Sequence, residues 1–116
     1  MKRKNYSRAE RVEDLLQREL ATILQRDESL SRLGMMTITD ISVTHDLSYA
    51  KVFISVLEEE KARKILTALN HSAKNLRYEL AQVVKLRIVP ELKFIYDDSS
   101  VRGQRISSLI NDALKK

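Results

Sequence analysis

Two short segments of alternating hydrophobicity, only four residues apart, constrain the fold of this chain more than any other feature. Residues 36–44 and residues 49–56 both alternate apolar side chains with mostly polar ones, which is the pattern of strands with one buried face. Because the connection is so short, the pair must form an antiparallel hairpin. In the first segment Ile38 and Ile41 lie three positions apart, so a regular strand would point them to opposite faces. We therefore predict a β-bulge near Asp40, since one extra residue restores the alternation.

Apolar residues recur at helical spacing in most of the remaining chain. Apolar stripes predict one helix over residues 8–26 and a second from residue 58 to residue 85. A straight helix of some 25 residues would be about 38 Å long, too long for one small domain. We therefore expect a break at residues 70–72, which hold the poorest helix formers. A strand over 86–96 and a final helix within 98–116 complete an α-β-β-α(kinked)-β-α order. This order predicts an α+β fold with a three-stranded sheet packed against helices.

Composition excludes most catalytic chemistry. The chain has no Cys, only two glycines (Gly34 and Gly103) and only two histidines (His45 and His71). These counts leave no thiolate nucleophile or thiolate zinc site, no glycine-rich phosphate loop and no three-histidine metal centre. The His45–Asp46 pair has no nucleophile tied to it, and we interpret it as a turn. We expect a protein that is not an enzyme, with no catalytic residue, no metal and no cofactor.

The ends carry no recognisable targeting signal. The cations of residues 2–4 are followed by polar residues rather than by the apolar core of a signal peptide. No stretch approaches the roughly 18 apolar residues of a membrane span. We expect a cytoplasmic monomer with no membrane partner. It would form one domain over residues 1–116, with residues 1–6 as a flexible basic tail and residues 98–116 as a helical extension.

The charge is unevenly distributed along the chain. The formal net charge is +5. Residues 27–60 hold two cations and seven anions, whereas residues 61–93 hold eight cations and two anions, and residues 1–26 add a further net +3. Such segregation suits a polyanionic partner such as RNA. With an aromatic content of 5% the chain has no ladder of rings for stacking successive bases, so recognition of folded shape is favoured. The candidate RNA-binding residues are Lys74, Arg77, Lys85 and Arg87, helped by Arg8, Arg11, Arg18 and the tail residues Lys2, Arg3 and Lys4.

Three motifs, in this order and at these separations, carry a resemblance. They are Arg32–Met35, Asp46–Val52, and Arg87–Leu92 followed by Phe94–Asp97. Together they resemble the ribosome-binding factor A family of bacteria, along essentially the whole chain. The resemblance implies a type II KH-like fold and binding to the 16S ribosomal RNA of free or immature 30S subunits. It also implies help in late maturation and pre-rRNA processing, release promoted by a ribosome-associated GTPase before translation, and a link to growth in the cold.

The chain departs from the family at the interhelical kink. The family has an Ala-x-Gly sequence there, whereas this chain has Ser72-Ala73-Lys74. A glycine permits positive φ and close backbone approach. Two interpretations stay open: either the helix is less sharply kinked, or Lys74 holds the turn while its ammonium group reaches a phosphate.

Two other functions also stay open. The chain could be a general KH-like binder of RNA or DNA without a ribosomal target. Alternatively, it could be a protein-interaction module whose basic segments meet an acidic partner.

Overall fold

The structure, a computed structural model, describes residues 8–98. Over this range it contains helices α1 (Arg8–Arg26), α2 (Glu28–Ser31), α3 (Ala62–His71) and α4 (Ala73–Val83), and strands β1 (Met36–Val43), β2 (Tyr49–Val56) and β3 (Glu91–Tyr96). The predicted α+β class and element order are confirmed as far as β3. The final predicted helix and the basic tail lie outside the described residues.

The predicted hairpin and its bulge are both confirmed. β1 and β2 pair antiparallel, with Ile38 opposite Ile54 and Asp40 opposite Phe53, so that Thr39 is the extra residue. The bulge restores the phase, and Ile38 and Ile41 are both buried on the same side of the strand.

The turn of the hairpin is built around one carboxylate. Oδ1 of Asp46 accepts hydrogen bonds from the hydroxyl of Thr44 at 2.8 Å, and from the hydroxyl and amide of Ser48 at 2.7 and 3.1 Å. Led by the Ser48 hydroxyl, these bonds stabilise the ionised form and lower the pKa of Asp46 to about 2. Leu47 takes a left-handed φ of 64° at the turn and buries its side chain. The interpretation of this segment as a turn is therefore confirmed.

The long helical segment divides at Ser72, within the range where we expected a break. Ser72 has φ −92° and ψ 3°. Its amide donates to the carbonyls of Ala68 and Leu69, and its carbonyl accepts from the amide of Leu76. Because φ stays negative, no glycine is needed for the change of direction. Lys74 lies inside α4, so Ser72 rather than Lys74 holds the turn.

Two connections differ from the prediction. The loop after α1 contains the short helix α2, whose N-terminus is capped because Asp27 accepts a hydrogen bond from the amide of Leu30 at 3.0 Å. β3 begins only at Glu91, since Pro90 has no N–H to donate to a ladder. β3 then runs parallel to β2, with Tyr49 opposite Glu91, which makes β2 the central strand.

Helices α1, α3 and α4 pack on one face of the sheet, and the short helix α2 packs against α1 and α3. The inward side chains of the strands and the apolar stripes of the helices form one buried cluster. Its most fully buried side chains include Leu16, Leu20, Val52, Ile54, Ile65, Leu69, Leu76 and Leu80. The opposite face of the sheet presents exposed side chains such as Lys51 and Lys93. The molecule thus has a helical face and a sheet face, and five of the predicted RNA-binding residues lie on its helices, namely Arg8, Arg11, Arg18, Lys74 and Arg77.

Candidate nucleic-acid interface

The exposed side of α4 carries two cations, Lys74 and Arg77, with no acidic side chain between them. At about 100° per residue, Tyr78 and Ala81 lie within some 40° of Lys74 around the helix, and Arg77 lies about 60° away. All four residues, which we call the α4 stripe, are exposed. The one carboxylate of α4, Glu79, points about 140° away from Lys74, and it accepts a hydrogen bond from the Asn75 amide at 3.1 Å. No acidic side chain therefore offsets the positive charge of the α4 stripe from within its own helix.

Two further cations, Lys85 and Arg87, follow the end of α4 in the chain. Both are exposed, in the segment that connects α4 to β3. This segment is held by Arg77, whose Nε–H donates to the carbonyl oxygen of Val89 at 2.9 Å. Arg77 is thus a positioning residue as well as a cation, because it keeps Lys85 and Arg87 beside the helix.

The break between α3 and α4 is fastened to the edge of the sheet. The side-chain amide of Asn70, two residues before the break, donates to the Phe94 carbonyl at 2.9 Å and accepts from the Phe94 amide at 2.8 Å. The Asn70 side chain therefore takes the place of a neighbouring strand at this position of β3. It fastens the last turn of α3 to β3.

The predicted RNA-binding residues on α1 lie on a surface that carries both positive and negative charge. Arg8, Arg11 and Arg18 are exposed, and α1 packs beside α4 in the helical layer. The exposed Asp14 lies one turn after Arg11 and one turn before Arg18, so the positive potential of this row is weaker than that of α4. Lys2, Arg3 and Lys4 lie outside the described residues.

Four exposed residues of interest were not among the predicted site residues. A groove of about 800 Å³ between α2 and α3 is lined by Arg63, Lys64 and His71, with Glu60 on the same lining. The carboxylate offsets part of the charge of this groove. The fourth residue is Tyr78, whose side chain is 66% exposed. A helical wheel drawn from Leu76 and Leu80 would have placed this ring on the outer side, one turn from Lys74.

The described part of the chain lacks two other kinds of site. Residues 8–98 contain no group of three or more His, Cys, Asp or Glu side chains that could hold a metal ion. None of the helices in that range is both long and apolar enough to cross a membrane.

Comparison with known proteins decides the family. The family model described as ribosome-binding factor A matches residues 8–110. The chain belongs to the ribosome-binding factor A family. The ribosome-binding factor A of Chromohalobacter salexigens is 46% identical over 114 residues, which are 96% of this chain and 87% of that protein.

Solved structures of the ribosome-binding factor A family share this fold. The crystal structure of the factor from Thermus thermophilus superposes with a TM-score of 0.67 at 30% identity, covering 78% of this chain and 97% of that one. A homology model of the Thermus thermophilus factor has been fitted into a cryo-electron-microscopy map of a complex of the factor with the 30S subunit. It superposes with a TM-score of 0.62 at 32% identity, covering 77% of this chain and 94% of that one. The predicted α+β fold, with a three-stranded sheet packed against helices, is therefore the fold of the family that the chain resembles.

Proposed function

We propose that this chain binds the immature 30S ribosomal subunit through its 16S ribosomal RNA. In this role it assists late maturation and pre-rRNA processing, and it leaves before the subunit translates. The observation that carries the proposal is the α4 stripe, which no carboxylate of its own helix offsets, in a family with a member fitted into a map of a 30S complex. Release by a ribosome-associated GTPase and a role in the cold are part of the same proposal, and they rest on family membership alone.

The proposed mechanism is binding without chemistry. A protein that binds one conformation of the RNA better than another shifts the RNA toward that conformation. Phosphate contacts by Lys and Arg would supply most of the affinity and would make it depend steeply on salt. Cytoplasmic location and action as a single-domain monomer belong to this proposal.

We assign different roles to the basic residues. Lys74, Lys85 and Arg87 contact phosphates directly. Arg77 positions the segment that carries the latter two and contributes its own charge. Arg8, Arg11 and Arg18, together with the tail residues Lys2, Arg3 and Lys4, add weaker contacts from the N-terminal part of the chain.

Sedimentation with ribosomal subunits tests this function. The double variant Lys74→Glu/Lys85→Glu reverses two cations that, within residues 8–98, make no hydrogen bond to the backbone of another element, unlike Arg77. Its matched control is Lys51→Glu/Lys93→Glu, the same change in charge at two exposed residues that pair in register on the sheet face. We expect wild type and the control to co-sediment with immature subunits. The α4 variant should bind at least about 10-fold more weakly. The slope of the logarithm of its binding constant against the logarithm of salt concentration should be shallower by about 1.5.

Each other outcome identifies a different error. If wild type stays at the top of a gradient rich in precursor subunits, the ribosomal function is wrong. Equal binding to free RNA and to subunits would favour a general RNA binder. An equal loss of binding in both double variants would show that only net charge matters and would remove the α4 stripe from the interface.

A further inference from the structure

Tyr78 is the one exposed aromatic ring in the α4 stripe, and the fold gives it no structural task. The helix positions that face the core are Leu76 and Leu80, and Tyr78 points about 180° away from the midpoint between them. Its side chain is 66% exposed, so it contributes little to packing. Tyrosine is also a poorer helix former than the Lys, Gln and Ala around it. Neither burial nor helix propensity accounts for a ring at this position.

The neighbours of Tyr78 leave its ring open and place a cation beside it. Helical side chains lean toward the N-terminus, which brings the ring toward Lys74, one turn earlier. Ala81, one turn later, is too short to cover the ring from the other side. Within α4 no carboxylate lies near this group, because Glu79 faces away. Within the helix the ring therefore has a cation on one side and a short side chain on the other.

A nucleotide has the matching chemistry. It joins a flat aromatic base to an anionic phosphate across a distance similar to one helical turn, about 5.4 Å. Folded RNA presents unpaired bases in loops and bulges, and proteins bind such bases by stacking them on aromatic side chains. Because α4 offers one exposed ring, it can take one base and not a run of them.

We propose that Tyr78 is a stacking platform for a single unpaired RNA base, with Lys74 holding an adjacent phosphate. This proposal rests on the proposed RNA-binding function and adds to it a specific contact. Stacking needs the ring and not the hydroxyl, which separates it from hydrogen bonding by tyrosine.

The test uses substitutions at Tyr78 with Tyr49 as the matched control. Tyr49 is also exposed, at 56%, but lies on the sheet face opposite Glu91 in the register of the strands. We expect Tyr78→Ala to weaken binding to immature subunits by about 5- to 100-fold, Tyr78→Phe to bind within about 2-fold of wild type, and Tyr49→Ala to bind as wild type. Circular dichroism melts should show all three variants folded, since both rings are exposed.

A spectroscopic readout reports stacking directly. The chain contains no Trp, so Tyr78→Trp and Tyr49→Trp each give the chain a single tryptophan, whose emission can be excited separately from that of the tyrosines. Stacking on a base should quench the fluorescence of the first on adding subunits and leave that of the second unchanged. Photo-crosslinking from Tyr78→p-benzoylphenylalanine should yield an adduct with a nucleotide.

The outcomes separate this proposal from the function it rests on. If wild type binds subunits while Tyr78→Ala binds equally well, or if the tryptophan is not quenched, the platform is wrong and the function stands. An adduct with a ribosomal protein in place of a nucleotide would also overturn the platform. If wild type itself does not bind, the proposed function is what fails.

Discussion

Asn70 offers a direct test of how the helical layer is fixed to the sheet. Asn70→Ala removes both hydrogen bonds to the Phe94 backbone, at 2.9 and 2.8 Å. Each such bond contributes about 0.5–1.5 kcal/mol net, so their joint loss costs about 1–3 kcal/mol. The gain in helix propensity from Asn to Ala, up to about 0.7 kcal/mol, opposes this loss.

A matched substitution removes the propensity effect. Asn75→Ala, on the next helix, gains the same propensity but loses only an exposed bond to Glu79 at 3.1 Å. The difference between the two variants therefore isolates the contact with β3, and we expect it to be about 1–3 kcal/mol. Urea unfolding followed by circular dichroism measures it, with an unchanged m-value as the sign that the denatured state is the same. In a domain of this size each kcal/mol corresponds to roughly 4–8 °C in the melting midpoint.

Two further measurements make the reasoning refutable. Asn70→Asp keeps an acceptor for the Phe94 amide but sets a carboxylate against the Phe94 carbonyl, so it should not restore stability. The Phe94 amide should exchange its hydrogen faster in Asn70→Ala, because it becomes open to solvent at the sheet edge. If Asn70→Ala and Asn75→Ala agree within about 0.3 kcal/mol, the edge contact contributes nothing and the argument fails.

Three other predictions concern the loops. Asp46 has a folded pKa of about 2, below the usual value near 3.9. Its stabilisation is therefore present above about pH 4 and lost as pH falls through 2, and Asp46→Asn should flatten acid unfolding curves in that window. Leu47 has a left-handed φ of 64°, a conformation in which glycine is more stable than alanine, the reverse of their order in a helix or strand. Leu47→Gly should be about 1 kcal/mol more stable than Leu47→Ala by urea unfolding, and the reverse order would contradict the strain. Gly34 has a φ of 146°, and an added Cβ would lie 3.3 Å from Cδ1 of Ile65. Gly34→Ala should therefore lower stability by about 1 kcal/mol or more, and an unchanged melting midpoint would show that the loop adapts.

Local patterns predicted most of the fold because each feature has one physical cause. The opposite parity of Ile38 and Ile41 required an extra residue, and the structure places it at Thr39. The length of the helical segment required a break, which occurs at Ser72. Helix α2 was missed because it is four residues long, too short for a hydrophobic period, although Asp27 was available as its cap.

The candidate site was less predictable, since exposure and side-chain partners depend on packing. Arg77 looked like any other cation in the sequence, whereas its bond to Val89 depends on where the chain returns after α4. Charge counted along the sequence likewise did not show that Glu79 faces away from Lys74. The low aromatic content of the chain did not point to Tyr78, because a count of aromatic residues does not show which of the rings are exposed.

Both edges of the sheet are occupied by side chains from the helical layer, and this limits how the protein can bind a partner. The amide of Glu91 on β3 donates to Ser48, the residue before β2, and the amide of Asp97, just after β3, donates to Ile54 of β2. The amides of the alternate residues of β3 therefore face outward, and Asn70 accepts a hydrogen bond from the one at Phe94. On β1 the outward amide of Val43 donates to Glu13 of α1 at 2.8 Å. An edge covered in this way does not accept an added strand, so binding falls to side chains on the faces. Asn70→Ala should therefore lower stability yet leave subunit affinity within about 2-fold of wild type when measured well below its melting midpoint. Lys74→Glu/Lys85→Glu should instead lower subunit affinity and leave stability close to that of wild type. If Asn70→Ala abolished binding while the protein remained folded, the sheet edge and not the α4 stripe would be the interface.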